Sequence, residues 1–469
     1  MMNFPVPKRV IWISTDHMRY DCIGAHGNSV MHTPNLDRIV REGLSFDRCY
    51  AQNPLCMPSR ASFMTGLYPQ QTGVVDNGQD LPADFPYTVA RVFKAGGYVT
   101  AHIGKLHFQS HEDNDLDPRS RHDYGFDIFW QAEEPGSYED AYVTWLRTEY
   151  PEYVDMFRVP RSSSPSRDTE IDGKVLDAPW QASFSGWVAE QAVRCLKAGN
   201  RSEKLFIHLG FYAHHPPLNP TWEMFAPYKD LRIAIPDYPE NEASDKPDIL
   251  ARMLLDRRGW EKSRFVEYRR HFYAMVTGVD MAIGHIIEFL DTKGMLDDTL
   301  IVFSSDHGDM CGNHRMLLKQ HSFYEELMRL PLLLYWPAAF GRSGKRISGF
   351  VEMVDVLPTL LGLSGVTVPG IMAGKNYSQA LKEGYEPDGK LDVYAFHGPG
   401  HMMLRTSTHK LIRYANGDEV LYDLEKDPME TKNIIGLPGS ELLLRALKDR
   451  LFERTIDATR SIIPRRYRF

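Results

Sequence analysis

The sequence predicts an α/β fold: one large, mostly parallel sheet covered on both faces by helices, followed by a small antiparallel α+β unit. Three observations carry this. Short β-rich apolar runs alternate with helical patterns as far as Gly374. Four of those runs end in polar clusters able to bind a metal or an anion. Beyond Gly374 the runs shorten and turn signals crowd together, dividing the chain into 1–374 and a C-terminal subdomain at 375–469.

The first predicted strand, 9–14 (RVIWIS), delivers Asp16 and His17. Thr33 and Pro34 open a helix with Leu36, Ile39, Val40 and Leu44 on one face. In the stretch 53–73 (NPLCMPSRASFMTGLYPQQTG), Pro58 suits the first turn of a helix and Gly66 its end, so a short helix spans about 58–65. Cys56 then sits at a helix N-terminus, where free N–H groups favour an anion, and Arg60 adds a cation one turn on. Asp76-Asn77-Gly78 is a turn signal. A helix at 87–95 and a strand at 98–103 deliver Lys105 and His107. A helix at 187–198 and a strand at 205–209 deliver His214 and His215. A long helix at 262–292 and a strand at 300–304 deliver Asp306 and His307. An apolar run at 331–336 and a short helix at 355–363 complete the larger part. The stretches 110–182 and 228–262 read as irregular insertions, with 158–168 (RVPRSSSPSRD) a surface loop. In the C-terminal part, strands fall at 402–405, 410–414 and 419–422, with Asn416-Gly417 a hairpin signal, and a helix closes the chain at 440–458.

The 469 residues carry a net charge of -8, which points to neither nucleic acid nor an anionic membrane as partner. No apolar run approaches the ~20 residues of a membrane span, and the N-terminus lacks signal-peptide character, so a cytoplasmic protein is expected. Five scattered cysteines argue against a disulfide scaffold. The Arg-rich tail IIPRRYRF is a candidate docking segment for a homo-oligomer.

At the strand ends, Asp16 and Asp306 are the natural ligands of a hard divalent cation, and His307 would tilt the preference from Ca²⁺ toward Mn²⁺. His17 is either a further ligand or an orienting neighbour. Cys56 contributes whatever group it carries, and Arg60 and Lys105 can neutralise a bound oxyanion, as can Lys319, which taken singly reads as a surface lysine. The alcohol half of a substrate would meet the irregular stretches, where Trp130, Tyr138 and Trp180 are aromatic candidates.

Together these segments resemble the type I sulfatases of the alkaline-phosphatase superfamily. Cys56-Met57-Pro58-Ser59-Arg60 with Thr65-Gly66 is similar to the signature in which the cysteine becomes formylglycine. TPNLDR, GKLH, FYAHHPP, SSDHG, DVLPTL, HKLIRY and LYDLEKDPMETKNI extend the likeness over nearly the whole chain. The resemblance implies an alkaline-phosphatase-like fold and a sulfuric ester hydrolase. It implies a divalent cation on Asp16, Cys56, Asp306 and His307, and Arg60, Lys105, His107, His215 and Lys319 around the sulfate, with Asn77 as a weaker contact. It also implies a formylglycine-generating enzyme as maturation partner and a small-molecule or carbohydrate sulfate ester as substrate. The Asp16-His17 and Asp306-His307 pairs depart from the commoner Asp-Asp and Asp-Asn, and are similar to choline sulfatases and phosphonate monoester hydrolases. A phosphonate monoester or phosphodiester hydrolase is therefore the alternative, and a silent oxyanion- or glycan-binding protein a third.

Overall fold

The computed structural model describes residues 4–110, 121–134, 139–158, 173–199, 203–319 and 321–460. Its strands, in chain order, are β1 (Arg9–Thr15), β2 (Leu44–Tyr50), β3 (Tyr98–Gly104), β4 (Ile128–Gln131), β5 (Lys204–Gly210), β6 (Thr299–Ser305) and β7 (Arg329–Leu330). They continue with β8 (Leu332–Tyr335), β9 (Lys345–Glu352), β10 (Asp392–His397), β11 (His401–Thr406), β12 (His409–Arg413) and β13 (Glu419–Asp423). The first nine form one sheet in the order β4-β3-β5-β1-β6-β8-β2-β7, with β9 beside β2. From β4 to β6 every pair is parallel. The far side is mixed, since β8 runs antiparallel to both β6 and β2.

β1 is buried along its whole length. Val10 and Trp12 enter the core on one face and Ile11 and Ile13 the core on the other, so the strand reads as a continuous apolar run. The ends of β3 and β5 approach so closely that a Cβ on Gly210 would lie 1.9 Å from the Lys105 carbonyl oxygen. Gly104, at φ +100°, meets Gly210 from the other side. This approach seats Lys105 beside the end of β1.

Several elements differ from expectation. The helix α1 (Pro34–Glu42) stops at Gly43, and Leu44 opens β2 rather than continuing the helical face. A Cβ on Gly43 would meet the Leu334 carbonyl at 2.5 Å, so the chain turns there. The helix α2 runs Cys56–Phe63, placing Cys56 inside the first turn. The stretch 110–182 contains β4 and the helix Ala141–Glu149, and 228–262 contains the helix Asp248–Leu255. Trp130 and Trp180 are partly buried and pack against the core on the Ile11 face of β1. Tyr138, most of the loop 158–168 and the tail IIPRRYRF lie outside the described residues. The helix Lys262–Thr292 contains a stretch long and apolar enough to cross a membrane, contrary to the sequence expectation, but 67% of that window is buried in the protein.

The C-terminal sheet is antiparallel in the order β10-β11-β12-β13, and the helix Glu441–Ala458 covers it over a separate small core. Arg454 ties this helix to the rest: Nη2 donates to Glu352 Oε1 at 2.6 Å and Nη1 to Asp392 Oδ1 at 3.0 Å. Burial opposes the charge of Glu352, yet Arg454 and Lys390 hold its carboxyl down to about 2. Arg454→Ala leaves two buried carboxylates short of a partner and should cost about 3–5 kcal/mol of stability in a guanidinium melt. Because the folded pKa of Glu352 lies below its ordinary 4.5, its contribution is full above that pH and is lost as pH falls toward 2. Acid titration followed by hydrogen exchange should therefore show this helix losing protection in that window.

Candidate active site

Because β3, β5, β1 and β6 are neighbours and parallel, their carboxyl ends open on one edge of the sheet, and Asp16, Lys105, His215 and Asp306 meet there. The helix α2 is laid against this edge. Asn53 Oδ1 accepts the Leu55 N–H at 2.8 Å, and Asn77 Oδ1 accepts the Met57 N–H at 3.1 Å, satisfying donors at the start of the helix. Asn77 is itself exposed, at the rim of an otherwise buried cluster.

Cys56 Sγ lies 3.1 Å from His307 Nε2, 3.6 Å from Asp16 Oδ1 and 2.7 Å from Lys319 Nζ. Asp16 Oδ2 stands 2.6 Å from Lys105 Nζ and 3.7 Å from Arg60 Nη2. Arg60 is spent on its surroundings: Nε donates to Asp306 Oδ2 at 2.8 Å and Nη1 to the Lys105 carbonyl at 3.1 Å. Asp306 Oδ1 accepts the backbone N–H of His307 at 2.7 Å and of His17 at 3.2 Å.

The electrostatics follow from burial. Desolvation disfavours the Asp16 carboxylate, but Lys105, His17 and Arg60 hold its pKa well below the usual range. Burial disfavours the Lys105 charge in turn, and Asp16 more than restores it. Burial, then the Lys319 cation, pushes His17 well below its ordinary value, and burial with Lys319 and Lys105 does the same to His215. His307 goes the other way: burial opposes its charge, but Asp306 and the Cys56 sulfur carry its pKa upward.

The donors fit a divalent cation. Asp16, His17, Cys56 and His307 each offer an atom, and these atoms all lie within 4.8 Å of one another. Carboxylate oxygen and imidazole nitrogen suit Mn²⁺ or a related ion, with Asp306 adjoining. His307 Nδ1 donates to the Gly308 carbonyl at 2.8 Å, so in the neutral ring Nε2 is the nitrogen left to bind a cation.

Of the remaining predicted residues, Lys105, Lys319 and His215 border this group. Tyr212 links two of them: its ring lies 5.1 Å from Lys105 Nζ and its hydroxyl 2.9 Å from His215 Nδ1. The His215 ring is 4.7 Å from that of His17. His214 turns away, with Nδ1 on the Asp16 carbonyl and its ring against Phe272. His107 is buried at φ 56°.

Sequence reasoning missed the groups that hold these residues in place. Glu133 Oε1 accepts the N–H of Leu106 at 3.1 Å and of His107 at 2.8 Å, bracing the turn after β3. It sits in the stretch read as irregular, where no pattern marked it. Asp309 holds His17, and the Tyr268 hydroxyl donates to Asp309 in turn. Asp309 stands three residues after Asp306, a proximity that was the available signal.

A family model described as Sulfatase matches residues 8–366, and one described as N-sulphoglucosamine sulphohydrolase, C-terminal, matches 312–457. An arylsulfatase of Clostridium perfringens is 28% identical over 447 residues, spanning 91% of this chain and 90% of its own. An N-acetylglucosamine-6-O-sulfatase of Bacteroides thetaiotaomicron is 29% identical over 475 residues, spanning 91% and 82%. The solved phosphonate monoester hydrolase of Agrobacterium radiobacter matches with a TM-score of 0.81 at 25% identity, over 96% of each chain. With more than half of its length matched by the one model, the chain belongs to the sulfatase family of sulfuric ester hydrolases.

Proposed function

We propose that the protein hydrolyses an organic sulfate monoester, of a small alcohol or a carbohydrate, to alcohol and sulfate, using a divalent cation and formylglycine at position 56. The observation that carries this reading is the placement of Cys56: buried in the first turn of α2, between the Lys319 ammonium and His307, beside the Asp16 carboxylate. The family match and the sulfatase relatives support the sulfate ester as substrate.

Asp16, Asp306 and His307, with residue 56, would hold the cation. Once bound, it would lower the pKa of a hydroxyl on residue 56 and offset sulfate charge. A hydrated formylglycine at residue 56 would supply that hydroxyl and a second one able to release sulfate without water attacking sulfur. The chain's own groups do the rest. Lys105 and Lys319 flank the sulfate oxygens, and Arg60 adds positive potential from a fixed position. His107 and Asn77 would add further contacts to the sulfate, as the resemblance implies. His215 is kept neutral by burial and the two lysines. An arriving ester anion offsets those cations, which lets His215 take up a proton and pass it to the departing alkoxide.

A second reading, a phosphonate monoester hydrolase with the same nucleophile, is favoured by the likeness to the Agrobacterium enzyme. Parallel assays on aryl sulfate and aryl phosphonate esters rank the two, and a higher kcat/KM on the sulfate is expected.

Peptide mass should show residue 56 with oxygen in place of sulfur and two hydrogens fewer. An unmodified thiol in fully active, natively produced protein would remove formylglycine from the reading. Cys56→Ala should retain the fold by circular dichroism and lose all measurable turnover. His215→Asn should lose about 10²–10⁴-fold on alkyl sulfates and far less on nitrophenyl sulfate, whose leaving group needs no proton. Equal losses on both would take the proton-donor role from His215. Chelation should abolish activity, and Mn²⁺ or Ca²⁺ should restore it.

A further inference from the structure

Asp309 is fully buried and uses both carboxylate oxygens. Oδ1 accepts the N–H of Cys311 at 2.7 Å and of Leu318 at 3.1 Å, closing the loop that leads to Lys319. Oδ2 lies 3.0 Å from His17 Nδ1 and accepts the Tyr268 hydroxyl at 2.9 Å. A carboxylate only accepts, so the proton between Asp309 and His17 belongs to His17 Nδ1. On the other side of the ring, Lys319 Nζ stands 3.3 Å from His17 Nε2, and an ammonium only donates. Asp309 on one side and Lys319 on the other both favour the tautomer with Nδ1 protonated and Nε2 bare, against Asp16 Oδ1, which lies 3.4 Å from Nε2. His17 is held for this at φ 66°, a left-handed conformation costly for a residue with a side chain.

We propose that Asp309 is a positioning residue: it fixes His17 in the tautomer that turns a bare Nε2 toward Asp16, Cys56 and His307, and its other oxygen sets the loop that brings Lys319 to the same place. His17, left open by the sequence between ligand and neighbour, is thereby an acceptor within the cation-binding group. An imidazole backed by a buried carboxylate is the arrangement that raises ligand basicity and fixes ring orientation, and losing such a carboxylate typically costs about 10–100-fold in metal affinity. The affinity part of this inference rests on the site taking a cation, whereas the tautomer does not.

Asp309→Asn separates this role from simple packing. The Asn carbonyl oxygen is required by the Cys311 and Leu318 N–H groups, so the amide nitrogen faces His17. That nitrogen donates, which forces the His17 proton onto Nε2, against the Lys319 ammonium. Nitrogen-15 spectra of histidine-labelled, cation-free protein read the tautomer directly, with the His17 signal identified by its loss in His17→Gln. The wild type should show Nδ1–H and Asp309→Asn should show Nε2–H. Calorimetric titration with Mn²⁺ should give a Kd about 10–100-fold higher in Asp309→Asn. Tyr268→Phe, which removes a neighbour but leaves Oδ2 to His17, should leave tautomer and Kd unchanged. An Nε2–H wild type, or an unchanged Kd in folded Asp309→Asn, would overturn the proposal. If the Asn variant does not fold, the wild-type spectrum and Tyr268→Phe decide it. Neither measurement uses a substrate, so failure of the sulfatase reading would be seen separately, as absent turnover with the tautomer intact.

Discussion

The ionised carboxylate of Asp16, buried at the end of the central strand, is the constraint around which the site is built. A lone carboxylate there would be neutral or would destabilise the fold. It stays charged because Lys105 reaches it from β3 and Arg60 from α2. Those cations are themselves buried, so each depends on the acid it serves. The paired glycines at the ends of β3 and β5 and the placement of α2 against the sheet edge both bring a positive group to this one acid. Removing either cation leaves a buried charge uncompensated, which is why the cluster is held from several elements at once.

The charges also explain which ligands suit it. Asp16 and Asp306 are in direct contact with Lys105 and Arg60, while Lys319 reaches Cys56 and His17, whose far side rests on Asp309. A divalent cation added to that balance leaves positive potential that matches an ester anion and its sulfate product. Arg60 is engaged by Asp306 and the Lys105 carbonyl, and acts as fixed charge.

The C-terminal sheet reaches the same place through backbone contacts. Phe396, on β10, donates its N–H to the Gln52 carbonyl at 2.9 Å, and its own carbonyl accepts from Asn53 Nδ2 at 2.8 Å. The segment leading into Cys56 is therefore stitched to β10. The salt-linked Arg454 fixes the helix that covers this sheet, so the stability of the C-terminal unit and the position of the nucleophile share one set of contacts.

Strands buried on both faces, such as β1 and β6, were legible because a continuous apolar run bounded by polar residues has one reading in a parallel sheet. β2 was hidden because Asp47 and Arg48 interrupt its apolar pattern, and β4 is only four residues within a charged stretch. Asp16, Lys105, His215 and Asp306 could be named from the sequence because each follows directly from a strand end, a local property. Sequence alone determined the fully buried strands, the long helices between them and which polar residues stand at the strand tips. Only the tertiary structure decided that β3, β5, β1 and β6 lie side by side, that Arg60 is tied to Asp306, and that Asp309 and Glu133 brace His17 and His107. Those are contacts across long stretches of chain, set by strand order and packing, and no local periodicity records them.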